Sequence, residues 1–239
     1  MPERLCKKLR AAYLGRRRHN SGCDLGGNAM TLTIVTLLPL LGALALSLFK
    51  TNQGETIKRF ALGTSVLTLA ATIILALNFE IDRPGFQYVE SYSWIPALGI
   101  NFQLGIDGIS LILILLSTIL VPVVLIAGWH ESEGGRFSVK TFYILVLILE
   151  TMMIGVFAAT DLFLFYIFFE AMLVPVYFLI GGYGSGARQA AAVKFLLYSL
   201  FGGLLMLASI IGIYVISSNQ IGRTFDIGAL GTLQIDNLT

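Results

Sequence analysis

Long apolar runs separated by short polar ones dominate this chain. Six of them, 31–49, 60–79, 108–129, 141–159, 162–180 and 193–216, are each close to the length that crosses a bilayer core as a helix. Lipid offers no partner to a free backbone N–H or carbonyl, and no barrel-like alternation is evident, so the runs are expected to be helical. Between the second and third lies a polar segment, Glu80 to Asp107, with Pro84-Gly85 and Trp94-Ile95-Pro96. Its Tyr88, Tyr92 and Trp94 suit a membrane interface, where amphipathic rings settle. Only Thr160-Asp161 separates the apolar stretch Thr141–Ala159 from Leu162–Ile180, which predicts an antiparallel helical hairpin with a tight turn. The expected fold class is therefore an all-α integral membrane protein of about six transmembrane helices. The expected divisions are an N-terminal extension 1–29, the first three helices with an outside loop 80–107 in 30–130, helices four to six in 131–219, and a tail 220–239.

Composition agrees: 56% of residues are hydrophobic and 13% charged, where soluble domains carry about 25% charged residues. Cys6 and Cys23 are both N-terminal and outside any C-x-x-C pattern, which argues against a disulfide framework or a metal site. His19 and His130 are too scattered for a haem or zinc centre. The glycine-rich Gly181–Gly186 follows a membrane helix and lacks the G-K-[ST] ending of a phosphate loop, so it reads as a flexible turn.

The distribution of charge sets the orientation. Lys50, Lys58, Arg59, Arg136, Lys140, Arg188 and Lys194 fall on one side, and from Met30 onward only Arg83 and Arg223 fall on the other. The first side is expected to face the cytoplasm or its organellar equivalent, so that the chain enters from the outside at Met30. Residues 1–29 oppose this with Arg4, Lys7, Lys8, Arg10, Arg16, Arg17 and Arg18. Translation starting at Met30 resolves the conflict; a cleaved or targeting extension is the other explanation.

Two acids fall inside the apolar runs. Glu170 is central in Leu162–Ile180, where a carboxylate costs roughly 2.5–3.5 kcal/mol on insertion scales and calls for a compensating role. Glu150 is central in the preceding run, and counting from the turn at Thr160-Asp161 puts both acids roughly 15 Å deep at 1.5 Å per residue. The pair is expected to form a proton relay, with Glu170 the stronger candidate. Two carboxyls at close range resist joint ionisation and could share a proton, but the sequence leaves open whether they face each other. Pro175 deprives the Ala171 carbonyl of its helical partner, loosening the backbone beside Glu170. Lys194, at the start of the sixth run, reads as a snorkelling helix-end cation rather than a relay member. Asp107 and Asp161 read as N-caps of the third and fifth helices, and Pro122 is a candidate kink in the third.

Two strings resemble a known family: Leu104-Gly105-Ile106-Asp107-Gly108-Ile109-Ser110-Leu111, and the run from Ala159-Thr160-Asp161 through Phe168-Phe169-Glu170-Ala171-Met172-Leu173-Val174-Pro175 to Phe178. They are similar to the antiporter-like, proton-translocating membrane subunit of respiratory complex I, NADH:quinone oxidoreductase, of the chain M or subunit 4 type. The resemblance covers Met30 to Asn219. It implies that Glu170 is the fifth-helix glutamate of the proton channel, paired in the family with a lysine on the seventh helix. It also implies that NADH, FMN, iron–sulfur clusters and quinone belong to partner subunits, with no cofactor bound by this chain. The implied partners are other membrane subunits, the bilayer and, indirectly, quinone; no nucleic acid is expected. The family architecture has about fourteen spans with inverted repeats, so the chain is expected to be an N-terminal fragment or a split or truncated product, ending before the partner lysine. A cation/proton antiporter subunit and an inactive truncated fragment are the alternatives, and a bacterial plasma membrane is the expected location.

Overall fold

The computed structural model describes residues 30–51, 53–81, 83–130, 137–220 and 222–231. The extension 1–29, with Cys6, Cys23 and His19, lies outside the described residues, as do Arg136 and residues 232–239. The membrane helices belong to one compact unit, Thr31–Thr239. In chain order the elements are α1 (Thr31–Ser47), α2 (Gly54–Leu77), β1 (Gln87–Ile95), β2 (Ile100–Ile106), α3 (Gly108–Ala127), α4 (Val139–Ala158), α5 (Leu162–Ala171), α6 (Leu173–Tyr183), α7 (Arg188–Gln220) and the short α8 (Ile227–Leu230).

Among the described residues, five helical segments are long and apolar enough to cross a membrane: α2, α3, α4, the joined α5–α6 and α7. The apolar α1 is shorter, at 17 residues, or about 25 Å of helix. These account for the six predicted runs, with shifted ends: α2 begins at Gly54 rather than residue 60, and α7 extends the sixth run at both ends. Apolar side chains cover the outward faces, as in Ile109, Ile112 and Leu116 of α3 and Leu197, Phe201 and Leu205 of α7.

α4 is the central helix, packing on α1, α2, α3, α5 and α6. Its buried stripe recurs at helical spacing through Tyr143, Val146, Leu147, Glu150, Thr151, Ile154, Gly155 and Ala158. Small residues let neighbouring helices close on one another. A Cβ built on Gly155 would lie 2.6 Å from the Phe168 ring of α5, and one on Gly42 of α1 would strike Thr64 of α2. Buried hydroxyls are satisfied within their own helices, as Thr36 Oγ1 to the Leu32 carbonyl at 2.9 Å, Thr72 Oγ1 to Thr68 at 2.9 Å and Thr151 Oγ1 to Leu147 at 3.2 Å.

The polar segment 80–107 is not a plain loop. β1 and β2 form an antiparallel hairpin, with Glu90 opposite Leu104, Tyr92 opposite Phe102 and Ile95 opposite Ile100. Irregular pairing between Gln87 and Glu90 accompanies a positive φ of 53° at Tyr88. A turn through Pro96–Leu98 ends at Gly99, whose φ of 72° is left-handed and whose missing side chain admits the Arg223 carbonyl.

This hairpin ties the neighbouring helix ends together. The buried Glu90 carboxylate accepts from the Leu32 N–H at 2.7 Å, the Thr33 N–H at 3.1 Å and the Thr33 hydroxyl, capping α1 from another element. Thr160 donates its N–H to the Gln103 carbonyl at 3.0 Å and accepts from the Ile227 N–H at 3.0 Å, while Leu162 donates to the Phe225 carbonyl at 2.8 Å. The turn between the fourth and fifth runs is thus held between β2 and the segment after α7. At the opposite end, Lys140 donates to the Ser47 and Phe49 carbonyls at 2.6 and 2.8 Å, satisfying the C-terminus of α1. Lys58, buried in the second turn of α2, lies 5.4 Å from the Trp129 ring beyond α3.

Candidate functional site: two acids on opposite sides of one helix

Asp161 starts α5 by accepting from the Phe163 and Leu164 N–H groups at 3.0 and 3.1 Å, and also accepts from the Asn101 N–H at 3.1 Å. Burial raises its carboxyl above the ordinary range, the N–H groups of Asn101, Leu164 and Phe163 work against that, and the nearby Asp226 charge adds to it. Every described bond of Asp161 is that of a cap and tether. Asp107 forms a capping box with Ser110, each accepting from the other's backbone N–H at 2.8 Å. Both aspartates hold the positions expected of helix caps.

Nine residues after Asp161, Glu170 falls in the last turn of α5. The helix breaks at Met172, between Glu170 and Pro175, and resumes as α6 at Leu173. The interruption lies where a proline one turn later removes an N–H donor. The Glu170 carboxyl is turned toward α7: a Cβ on Gly203 would overlap Glu170 Oε1. That oxygen is buried and has no hydrogen-bond partner among the described residues.

Glu150 is fully buried, and neither of its carboxyl oxygens has a hydrogen-bond partner among the described residues. Side chains on a helix turn by about 100° per residue, which fixes the directions of both acids. Phe168 meets Gly155 and so faces α4; Glu170, two residues on, points about 200° away from it. On α4, Gly155 faces α5, and Glu150 lies about 140° away from Gly155. Glu150 instead shares a face with Tyr143, whose hydroxyl donates to the Leu125 carbonyl of α3 at 3.3 Å. Two turns onward along this antiparallel pair, Glu150 comes level with the buried Thr118 and its neighbour Ser117.

The two acids therefore lie at similar depth but look away from each other, Glu150 toward α3 and Glu170 toward α7. On these directions the two carboxyls do not face each other. Lys194 is exposed near the start of α7, roughly 14 Å along the axis from Gly203 at 1.5 Å per residue. It is no partner for Glu170. Sequence reasoning missed Gly203, because a glycine in an apolar helix carries no signal until its neighbour is known.

Residues 30–156 match the family model described as NADH-ubiquinone oxidoreductase chain 4, amino terminus. Residues 159–237 match one described as NADH:quinone oxidoreductase/Mrp antiporter, TM. The NADH-quinone oxidoreductase subunit M of Mycobacterium tuberculosis is 42% identical over 226 residues, covering 83% of this chain and 41% of that protein. The F(420)H(2) dehydrogenase subunit M of Methanosarcina mazei is 39% identical over 199 residues, covering 83% of this chain and 39% of that one. Among solved structures, respiratory complex I from Thermus thermophilus with bound NADH contains a chain that superposes with a TM-score of 0.69 at 27% identity, covering 83% of this chain and 38% of that one. The chain spans about two-fifths of the length of the curated relatives it matches. With its helical bundle, its two membrane acids and more than half its length under one family model, the chain belongs to the NADH-ubiquinone oxidoreductase chain 4 family.

Proposed function

We propose that this chain takes part in proton translocation as a membrane subunit of an NADH:quinone oxidoreductase, with Glu170 and Glu150 as its proton-carrying groups. The observation that carries this reading is the Glu170 carboxyl: a mid-span acid beside a helix break, with a buried oxygen that no described residue engages. An acid in that position is costly unless it gains and loses a proton or meets a counter-charge. In this reading Glu170 exchanges protons on the α7 side and Glu150 on the α3 side. The hydroxyls of Ser117 and Thr118 are groups of the right chemistry at the depth of Glu150. Electron transfer from NADH through flavin and iron–sulfur clusters to quinone takes place in partner subunits, and this chain binds none of those groups. Its immediate partners are other membrane subunits and lipid. Its setting is a bacterial plasma membrane, with the hairpin end outside and the Lys140 end inside.

The second reading is a cation/proton antiporter subunit, favoured by the part of the family model that also describes Mrp antiporters. Flavin, iron–sulfur and quinone-site genes beside this one support the first reading, and a compact antiporter operon supports the second. The F(420)H(2) dehydrogenase relative is a reason to test the electron donor directly. The decisive measurement is NADH-driven proton uptake in inverted native membrane vesicles. Glu170→Gln keeps the shape and removes ionisation, and is expected to lower uptake and coupled quinone reduction by about a hundredfold, the lower range for loss of a proton-transfer group. Near-normal pumping in that variant sinks the assignment.

A further inference from the structure

Three glycines interrupt α7, at Gly202, Gly203 and Gly212, although glycine weakens a helix interior. Their surroundings differ. A Cβ on Gly202 or Gly212 would meet nothing within 4 Å. A Cβ on Gly203 would overlap Glu170 Oε1 and lie 2.7 Å from the carboxyl carbon and 3.3 Å from Oε2. The absent side chain at residue 203 therefore makes a notch in α7 that is filled by the head group of Glu170. α7 packs on both α5 and α6, one on each side of the break at Met172. The notch is fixed to the same structure that carries the acid.

We propose that Gly203 is a positioning residue for proton transfer at Glu170, seating its carboxyl against the α7 backbone at mid-membrane depth. The inference rests on the proton-translocating role proposed above. The seat brings the carboxyl within the reach of a Cα–H contact and leaves Oε1 without a hydrogen-bond partner among the described residues. A methyl group at position 203 forces the carboxyl out of the notch or α7 away from α5. A displacement of about 1 Å at a proton-transfer group is enough for large rate losses.

The test uses native membrane vesicles, comparing only variants whose assembled complex contains normal amounts of this subunit. Gly203→Ala is expected to reduce NADH-driven proton uptake at least about tenfold, while Gly202→Ala, whose methyl enters open space, pumps at the normal rate. Glu170→Asp shortens the acid by one methylene, so adding it to Gly203→Ala is expected to restore uptake several-fold over Gly203→Ala alone. Labelling by dicyclohexylcarbodiimide, which attacks carboxyls in apolar surroundings, gives a readout separate from pumping. Followed by mass spectrometry, Gly203→Ala is expected to change the labelling rate of Glu170 and not that of Glu150. Normal pumping in Gly203→Ala overturns the seat, as do equal losses in the Gly202 and Gly203 variants, or an unchanged labelling rate at Glu170. If vesicles lacking this chain pump normally, the proposed function fails instead, and the labelling rates still decide the seat.

Discussion

The two membrane acids occupy different surroundings, and their variants should separate accordingly. Glu170 lies beside a broken helix and against a glycine notch. Glu150 is sealed within the most heavily packed helix, level with the α3 hydroxyls of Ser117 and Thr118. A group at the break can exchange with whatever approaches α7, whereas a group behind α3 depends on hydroxyls already bonded to their own backbone at Leu113 and Leu115. Glu150→Gln should therefore reduce proton uptake less than Glu170→Gln does, by under about tenfold. Uptake and quinone reduction measured side by side in vesicles carrying each variant provide the check, and complete loss with Glu150→Gln would reverse the ranking. The residue types and depths of this pair were legible in the chain, because an acid in an apolar run is conspicuous and a two-residue turn fixes the count. Their directions were not. Helix rotation is set by contacts such as Phe168 on Gly155 and Tyr143 on Leu125, between residues with no special mark in the sequence.

Among the elements, the helices followed from run length, while the hairpin escaped notice although half of it was written in the chain. Ile100, Phe102, Leu104 and Ile106 alternate with Asn101, Gln103 and Gly105, the period of a half-buried strand. Its partner strand obscured the signal, since the charged Glu90 shares its alternating set with Tyr88, Tyr92 and Trp94, polar residues fall in both sets, and its pairing is irregular at two places. The same hairpin supplies a cap that no local pattern announces. Glu90 satisfies the first N–H groups of α1 from far along the chain, and α1 is shorter than the five spanning segments. Glu90→Ala leaves those N–H groups unpaired and is expected to destabilise the protein by about 2 kcal/mol. Unfolding in detergent measures the loss, and faster hydrogen exchange at Leu32 and Thr33 locates it. Unchanged exchange at both positions would show that the cap has no such role.

At the scale of the whole molecule, one end is fastened by Lys140, Lys58 and Trp129, and the other by the hairpin, the Thr160-Asp161 turn and the segment around Phe225. The lysines cluster at the first end, consistent with placing it inside. Exposed Ser91 on the hairpin and exposed Ser185 before α7 provide a direct check. In a chain with Cys6 and Cys23 replaced by serine, Ser91→Cys should react with an impermeant maleimide in intact cells, and Ser185→Cys only after permeabilisation. The reverse pattern would invert the orientation. The fastening at the hairpin end also sets an order of events during biogenesis. Among the described residues, the Thr160 carbonyl pairs with Ile227 and the Leu162 N–H with Phe225, and both partners leave the ribosome a full membrane helix later. Until α7 has been inserted, the turn carrying Asp161 has its hairpin bond but lacks its other edge. The nascent chain therefore passes through a half-stitched intermediate, and a ribosome that stalls within α7 would present that open edge to the insertion machinery.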